Sequence, residues 1–239
     1  NTISHIHDLK DALQSINLIL NDDGVFILED PSLLEVIKNT SYDQFYDEHA
    51  YVFSILALNN LLQVTELEIF DIEKLTTHGG SNRVFIKKKK SNKTINDNVI
   101  EIINEELNMG MDKFETYQKF AQNVINSKNE TIKIFTELKK KNAKIIGYGA
   151  TYKSSTILNY CGLDTKFIDY FTDTTENKQG KFTPGTHIPI FKPTDEINLE
   201  INHIFLGAWN FKKEIFNKEK KFIERGGKFI SHVPYPQII

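Results

Sequence analysis

The chain has 239 residues, of which 40% are hydrophobic and 26% charged, with a net charge of −3 and one cysteine, Cys161. That is globular composition for one or two domains, and the slightly acidic balance supplies no basic field for nucleic acid. A single cysteine excludes an internal disulfide and a multi-thiolate zinc site, and no apolar run approaches the roughly 20 residues of a membrane-spanning helix. With no signal peptide visible, the cysteine usage points to a reducing, cytoplasmic setting.

The chain opens on Asn1, and Asn1–Ile6 reads as the end of a strand running into a loop, so a start in mid-domain is expected. Residues 8–20 place Leu9, Leu13, Ile16 and Leu20 at helical spacing behind Asp8, a suitable N-cap. Asn21–Gly24 is turn chemistry and Val25–Leu28 a buried-type strand, which Pro31 is expected to end. Residues 50–63 read as an apolar helix, followed by strands at Thr65–Asp71 and Arg83–Lys87. The lysine- and asparagine-rich stretch 87–98 reads as an exposed boundary.

Residues 99–141 are expected to be mostly helical, with Phe114, Tyr117, Phe120, Val124, Ile132 and Phe135 as the apolar stripe. Strands at 143–147, 166–171, 188–191, 203–207 and 228–232, with helices at 153–160 and 211–224, then predict a second α/β unit. Alternation of strands with helices argues for a mostly parallel sheet.

Four polar segments stand out. Tyr42–Tyr51 packs three tyrosines, three carboxylates and a histidine into ten residues, at the expected start of the apolar helix. His49 titrates near neutrality, and a neighbouring Glu48 or Tyr46 can orient it. The plain alternative is a charged helix start, with Asp47 and Glu48 at the positive end of the dipole. Next, His78-Gly79-Gly80-Ser81-Asn82-Arg83 reads as a hairpin turn, or as a place where Ser81 or Arg83 meets a substrate.

Gly147-Tyr148-Gly149-Ala150-Thr151-Tyr152-Lys153-Ser154 follows a strand and opens a helix, an arrangement that can present backbone N–H groups to an anion. It also matches a dinucleotide fingerprint whose third glycine is replaced by Tyr152, with Asp169 or Asp173 as the acidic residue, or it is a merely structural turn. Finally, Asn177–His187 is a glycine-punctuated loop in which Lys178 and Lys181 can meet phosphate. Trp209 and Asn210 can line the same cleft, with a packed core tryptophan as the alternative.

Taken in order, these segments resemble the sugar C-methyltransferase family. The resemblance rests on Tyr42–Ser54 (YDQFYDEHAYVFS), Thr77–Ile86 (THGGSNRVFI), Gly147–Leu163 (GYGATYKSSTILNYCGL) and Asn177–Pro193 (NKQGKFTPGTHIPIFKP), and it covers most of the chain. Two departures stand out: Asp47 where the family carries histidine, and Thr151-Tyr152 where it carries Pro-Ala.

The resemblance implies an α/β fold: the C-terminal part of a class I methyltransferase domain over residues 1–90, then a Rossmann-like domain over 98–239. It implies methyl transfer from S-adenosylmethionine to a carbon beside the ketone of a nucleotide-linked keto-sugar, through an enolate. On that reading His49 is the base, Glu48 orients it, and Tyr46 sits near the carbonyl or sugar hydroxyls. Asn1 and His5 fall on the family's Asn-x-x-x-His segment, with His5 stabilising the enolate or exchanging roles with His49. Gly147, Gly149, Lys153 and Ser154, with Lys178 and Lys181, are expected to bind the nucleotide-sugar's diphosphate.

The family's glycine-rich methyl-donor loop and its zinc-binding cysteines are not among these residues, so zinc and most of the donor site are expected upstream. The chain by itself is therefore expected not to methylate. The alternative is a non-catalytic nucleotide-sugar-binding module that works with a separate cofactor-binding chain. No nucleic acid or membrane partner is expected.

Overall fold

The structure, a computed structural model, describes every residue except Asp195. It divides into two compact units, Asn1–Lys38 with Asp47–Ala121, and Asn39–Tyr46 with Gln122–Ile239.

In the first unit, helix α1 (Leu9–Ile19) starts at Asp8, whose carboxylate accepts from Asp11 N at 3.0 Å. Strands β1 (Phe26–Pro31), β2 (Leu67–Leu75) and β3 (Ser81–Lys88) form an antiparallel sheet in the order β1-β3-β2. Pro31 does not stop β1 but sits in it, opposite Ser81 at the last register position, where a missing N–H costs little. A short helix that the sequence reading lacked, α2 (Leu33–Asn39), follows at once.

Helix α3 (Ile55–Gln63) begins five residues later than its apolar composition predicts. Two acceptors fix that start. Ser54 Oγ accepts from Ala57 N at 3.0 Å, and the buried carboxylate of Glu106, from helix α4 (Asp97–Asn108), accepts from Ile55 N at 2.9 Å and Leu56 N at 2.7 Å. Upstream, Phe53 pairs with Ser32 as an extended residue. Tyr46–His49 is therefore an irregular segment and does not open a helix.

Glu106→Ala would leave one buried and one half-buried helix N–H group, those of Ile55 and Leu56, without their acceptor. We expect a loss of about 2–4 kcal/mol, read as a lower thermal midpoint by circular dichroism.

The core of this unit joins Leu13, Leu58, Leu62, Leu67 and Ile86, all at most 1% exposed. Stretch 87–98 is not exposed throughout: Lys87 is 3% exposed and donates to Glu68 at 2.7 Å and to Ser91 O at 2.9 Å. Arg83 sits in register between Glu29 and Glu73 and donates to both carboxylates, so its part is to tie three strands together.

Helix α5 spans Phe114–Lys140. Phe114, expected in its apolar stripe, is instead 71% exposed, whereas Phe135 is fully buried.

The second unit continues with β4 (Ile145–Tyr148), α6 (Tyr152–Cys161), β5 (Phe171–Thr172), β6 (Ile190–Phe191) and β7 (His203–Leu206). Helices α7 (Lys212–Lys218) and α8 (Lys220–Glu224) and strands β8 (Lys228–Ser231) and β9 (Gln237–Ile238) complete it. Sheet order is β6-β5-β4-β7-β8-β9, parallel except for β9. This is a doubly wound, Rossmann-like sheet whose strand order reverses between β4 and β7.

Two expected elements are cut short. Residues 166–168 turn on Asp164, which accepts from Lys166 N and Phe167 N, so that strand shrinks to Phe171–Thr172. The helix expected over 211–224 breaks at Glu219, whose side chain accepts from Tyr148 Oη at 3.0 Å.

Candidate active site

In the first unit, three loops meet at the carboxyl end of β1. Ser4 Oγ donates to Asp30 Oδ1 at 2.7 Å, Tyr51 N donates to Ser4 O, and Tyr51 Oη donates to His7 O at 2.9 Å. Leu33 N donates to Phe53 O at 2.9 Å. These bonds lay residues 47–53 against residues 4–7 and bring His5 and His49 together, ring centroids 5.2 Å apart and planes at 74°.

Both imidazoles are half-buried. Close by in this loop cluster, Asp30 Oδ2 is buried without a hydrogen-bond partner among the described residues. Asn1 and Glu48 are exposed, and Glu48 makes no hydrogen bond or ion pair with any described residue, so the expected pairing with His49 is not formed.

Tyr46 closes the segment 39–46, which belongs to the second unit. There its ring stacks on Tyr152, centroids 5.6 Å apart and planes at 15°. The residue that spoils the dinucleotide fingerprint thus gives Tyr46 its neighbour.

The glycine loop does not present a free cradle. Gly147 N donates to Tyr170 O, Gly149 N to Thr172 O, and Ala150 N to Asp173 Oδ2 at 2.9 Å. Thr151 N donates to Ser154 Oγ, and Ser154 N to Thr151 Oγ1, a closed capping box.

Ser154 is fully buried and Lys153 is 7% exposed, so neither stands at the surface to meet a diphosphate as the sequence suggests. Gly147 and Gly149 serve packing and conformation. A side chain at Gly147 would strike the Phe171 ring at 2.3 Å, and Gly149 holds φ +84° against Ala208.

Outside the loop, Tyr148, Thr151, Asp173, Thr175, Lys178 and Phe211 line a cavity of about 300 Å³ at the carboxyl ends of β4 and β5. Asp173, held below the ordinary carboxylate range despite its burial by Thr175 and Lys178, pairs with Lys178 at 3.2 Å. Lys181 lies exposed on the following loop.

Sequence reasoning gave Asp43 and His232 no role, and the structure draws both into a buried cluster. Asp43 is fully buried, and its Oδ2 accepts from Trp209 Nε1 at 2.5 Å and stands 3.4 Å from His232 Nε2. Lys153 Nζ lies over the Trp209 ring, 5.4 Å from its centroid. Burial alone would raise the Asp43 carboxyl, but His232, Trp209 and Lys153 together hold it low. Trp209 was singled out as a possible cleft residue, and only the position of His232 just after a strand could have signalled it, since a lone histidine carries no spacing.

Burial pushes Lys153 down to about 8, against the opposing pull of Asp43. A lysine whose pKa falls on folding binds its proton less tightly in the folded state. Stability should therefore rise between about pH 8 and the ordinary value of 10.5, by a few kcal/mol at most. Lys153→Met should flatten that rise in denaturant titrations across the window.

The first unit's three-stranded sheet and the Rossmann-like second unit are consistent with the class I methyltransferase fold. Residues 1–71 match the model of a methyltransferase domain, and residues 76–234 match that of the C-methyltransferase C-terminal domain. The chain belongs to this C-methyltransferase family. It is 34% identical over 236 residues to the C-methyltransferase NovU of Streptomyces niveus, covering 99% of this chain and 56% of that protein. The chain thus spans about half the length of the curated relative it matches.

Proposed function

We propose that this chain supplies the base and the sugar-nucleotide half of an S-adenosylmethionine-dependent C-methyltransferase acting on a nucleotide-linked keto-sugar. The pairing of His5 with His49 on loops fixed at the carboxyl end of β1 carries this reading. An α-proton beside a ketone needs a positioned base and a donor for the oxygen on which charge develops.

In the proposed step, a ring nitrogen of His49 takes the α-proton. The C–H electron pair passes into the enolate, and charge builds on the carbonyl oxygen. His5 donates to that oxygen, Tyr46 donates to the oxygen or to a sugar hydroxyl, and Glu48 is available to orient His49 on the bound substrate. Asn1 lies on the His5 loop to meet the sugar. Lys178 and Lys181 are the cations we assign to the diphosphate, in place of the self-bonded glycine loop.

Carbon methylation requires S-adenosylmethionine as the source of an electrophilic methyl group. The glycine loop does not fit it, because the N–H groups of Gly147, Gly149, Ala150 and Thr151 are bonded internally.

The test is a pair of calorimetric titrations of the 239-residue chain together with solvent exchange of the substrate α-proton by the intact enzyme. The reading expects binding of a nucleoside diphosphate, no binding of S-adenosylmethionine to the chain, and exchange by the intact enzyme. Binding without exchange would favour a non-catalytic nucleotide-sugar module, and tight NAD binding would favour a dehydrogenase.

A further inference from the structure

The crevice outside the carboxyl ends of the strands, where an open α/β sheet reverses its order, is where such folds receive ligands. In the second unit the reversal lies between β4 and β7. The residues placed there form a cationic, donor-bearing socket: Lys153 in the first turn of α6 after β4, Trp209 in the loop after β7, and His232 just after β8. No external ligand is needed to explain this socket, because the chain fills it. Residues 39–46 belong to this unit, and the carboxylate of Asp43 accepts from Trp209 Nε1, faces His232 Nε2 and interacts favourably with Lys153.

We propose that Asp43 is a built-in anionic ligand, and that its carboxylate, seated in the Lys153–Trp209–His232 socket, positions Tyr46 three residues later. The proposal rests on the reading of Tyr46 as part of the catalytic segment. It makes Asp43 a positioning residue, since it touches neither substrate nor reacting atoms.

Three features carry it. A fully buried carboxylate is retained only where charges and donors compensate it, and here Trp209, His232 and Lys153 do so, although Asp43 Oδ1 has no hydrogen-bond partner among the described residues. The turn that bears it, Tyr42–Gln44, is buried throughout, with Tyr42 Oη 3.7 Å from Cys161 Sγ. Beyond the turn, Thr156 Oγ1 donates to Phe45 O at 3.4 Å and Tyr46 stacks on Tyr152, so helix α6 receives the segment directly downstream of the anchor.

A carboxylate in a socket can be replaced by a free one, and this gives the test. In the intact enzyme, Asp43→Ala should slow α-proton exchange by about 10²-fold, acting on kcat and leaving the affinity for S-adenosylmethionine unchanged. Added formate should restore a substantial part of the rate, and chloride at equal ionic strength should not.

Independently of catalysis, amide hydrogen exchange at residues 42–46 should quicken about tenfold in Asp43→Ala and slow again with formate, while β4 and β7 keep their protection. Unchanged amide exchange at 42–46, or a lost rate that formate leaves untouched in a folded variant, would overturn the proposal. If the wild-type enzyme exchanges no α-proton, the catalytic reading fails, and the amide exchange still decides whether Asp43 anchors the segment. If Asp43→Ala does not fold, Trp209→Phe, which removes the donor and keeps the ring, decides in its place: looser residues 42–46 support the anchor and unaltered ones refute it.

Discussion

His49→Asn in the intact enzyme is expected to reduce exchange of the substrate's α-proton with solvent by about 10²–10⁴-fold, the range a positioned general base contributes. Asparagine keeps the approximate size and a donor but has no basic nitrogen near neutrality, so loss of exchange would report loss of the base and not of the loop. His5→Asn serves as the internal comparison. The two rings are edge-on at 5.2 Å, close enough for one imidazole to serve the proton and the other the developing oxyanion.

If His49 is the base, His5→Asn should lower the rate by about 10–10²-fold and leave residual exchange. If the roles are reversed, the larger loss falls on His5→Asn. Exchange in His49→Asn equal to wild type would remove His49 from the mechanism. Substrate and donor affinities measured by calorimetry should stay near wild type in both variants, because neither ring is needed to hold the ground state in this scheme.

Much of the architecture was legible because it is written in periodicity. Leu9, Leu13 and Ile16 announce α1, and the apolar runs around Ile145, Ile204 and Phe229 announce a parallel sheet whose order then follows α/β grammar. Two of the misreadings share a cause, which is a partner distant in sequence. Helix α3 starts at Ile55 because Glu106, 51 residues away, accepts its first N–H. Lys87 is buried because Glu68 receives it, and no composition rule for a lysine-rich stretch can see that contact.

The candidate site divides in the same way. His49 stood out within a polar segment at an expected helix start, whereas His5 entered only through the family resemblance. Their convergence was not legible, because it depends on Tyr51 reaching back to Ser4 and His7. Asp43 was hidden among the carboxylates of its own segment: Asp43, Asp47 and Glu48 look alike in sequence. The first is fully buried and the other two are exposed, and only the socket built by Lys153, Trp209 and His232 separates them.

The glycine loop offers the second large effect, and it decides between packing and ligand approach. Gly147→Ala should destabilise the second unit by about 3 kcal/mol, at the upper end of what overpacking a core costs. Its new Cβ would lie 2.3 Å from the Phe171 ring, which is fully buried and held edge-to-face by Phe205. Gly162→Ala is the control for backbone conformation alone. Gly162 has φ +66° and nothing within 4 Å of a would-be Cβ, so its cost should be about 1 kcal/mol.

Calorimetric melting of both variants should show the larger drop for Gly147→Ala. Adding Phe171→Leu should recover part of it, because the smaller side chain relieves the contact and the two sites couple directly. A nucleoside diphosphate should bind the folded Gly147→Ala chain as it binds wild type, since the loop's N–H groups are engaged within the protein. Loss of that binding with little loss of stability would instead make Gly147 a point of phosphate approach, and would return the loop to the substrate.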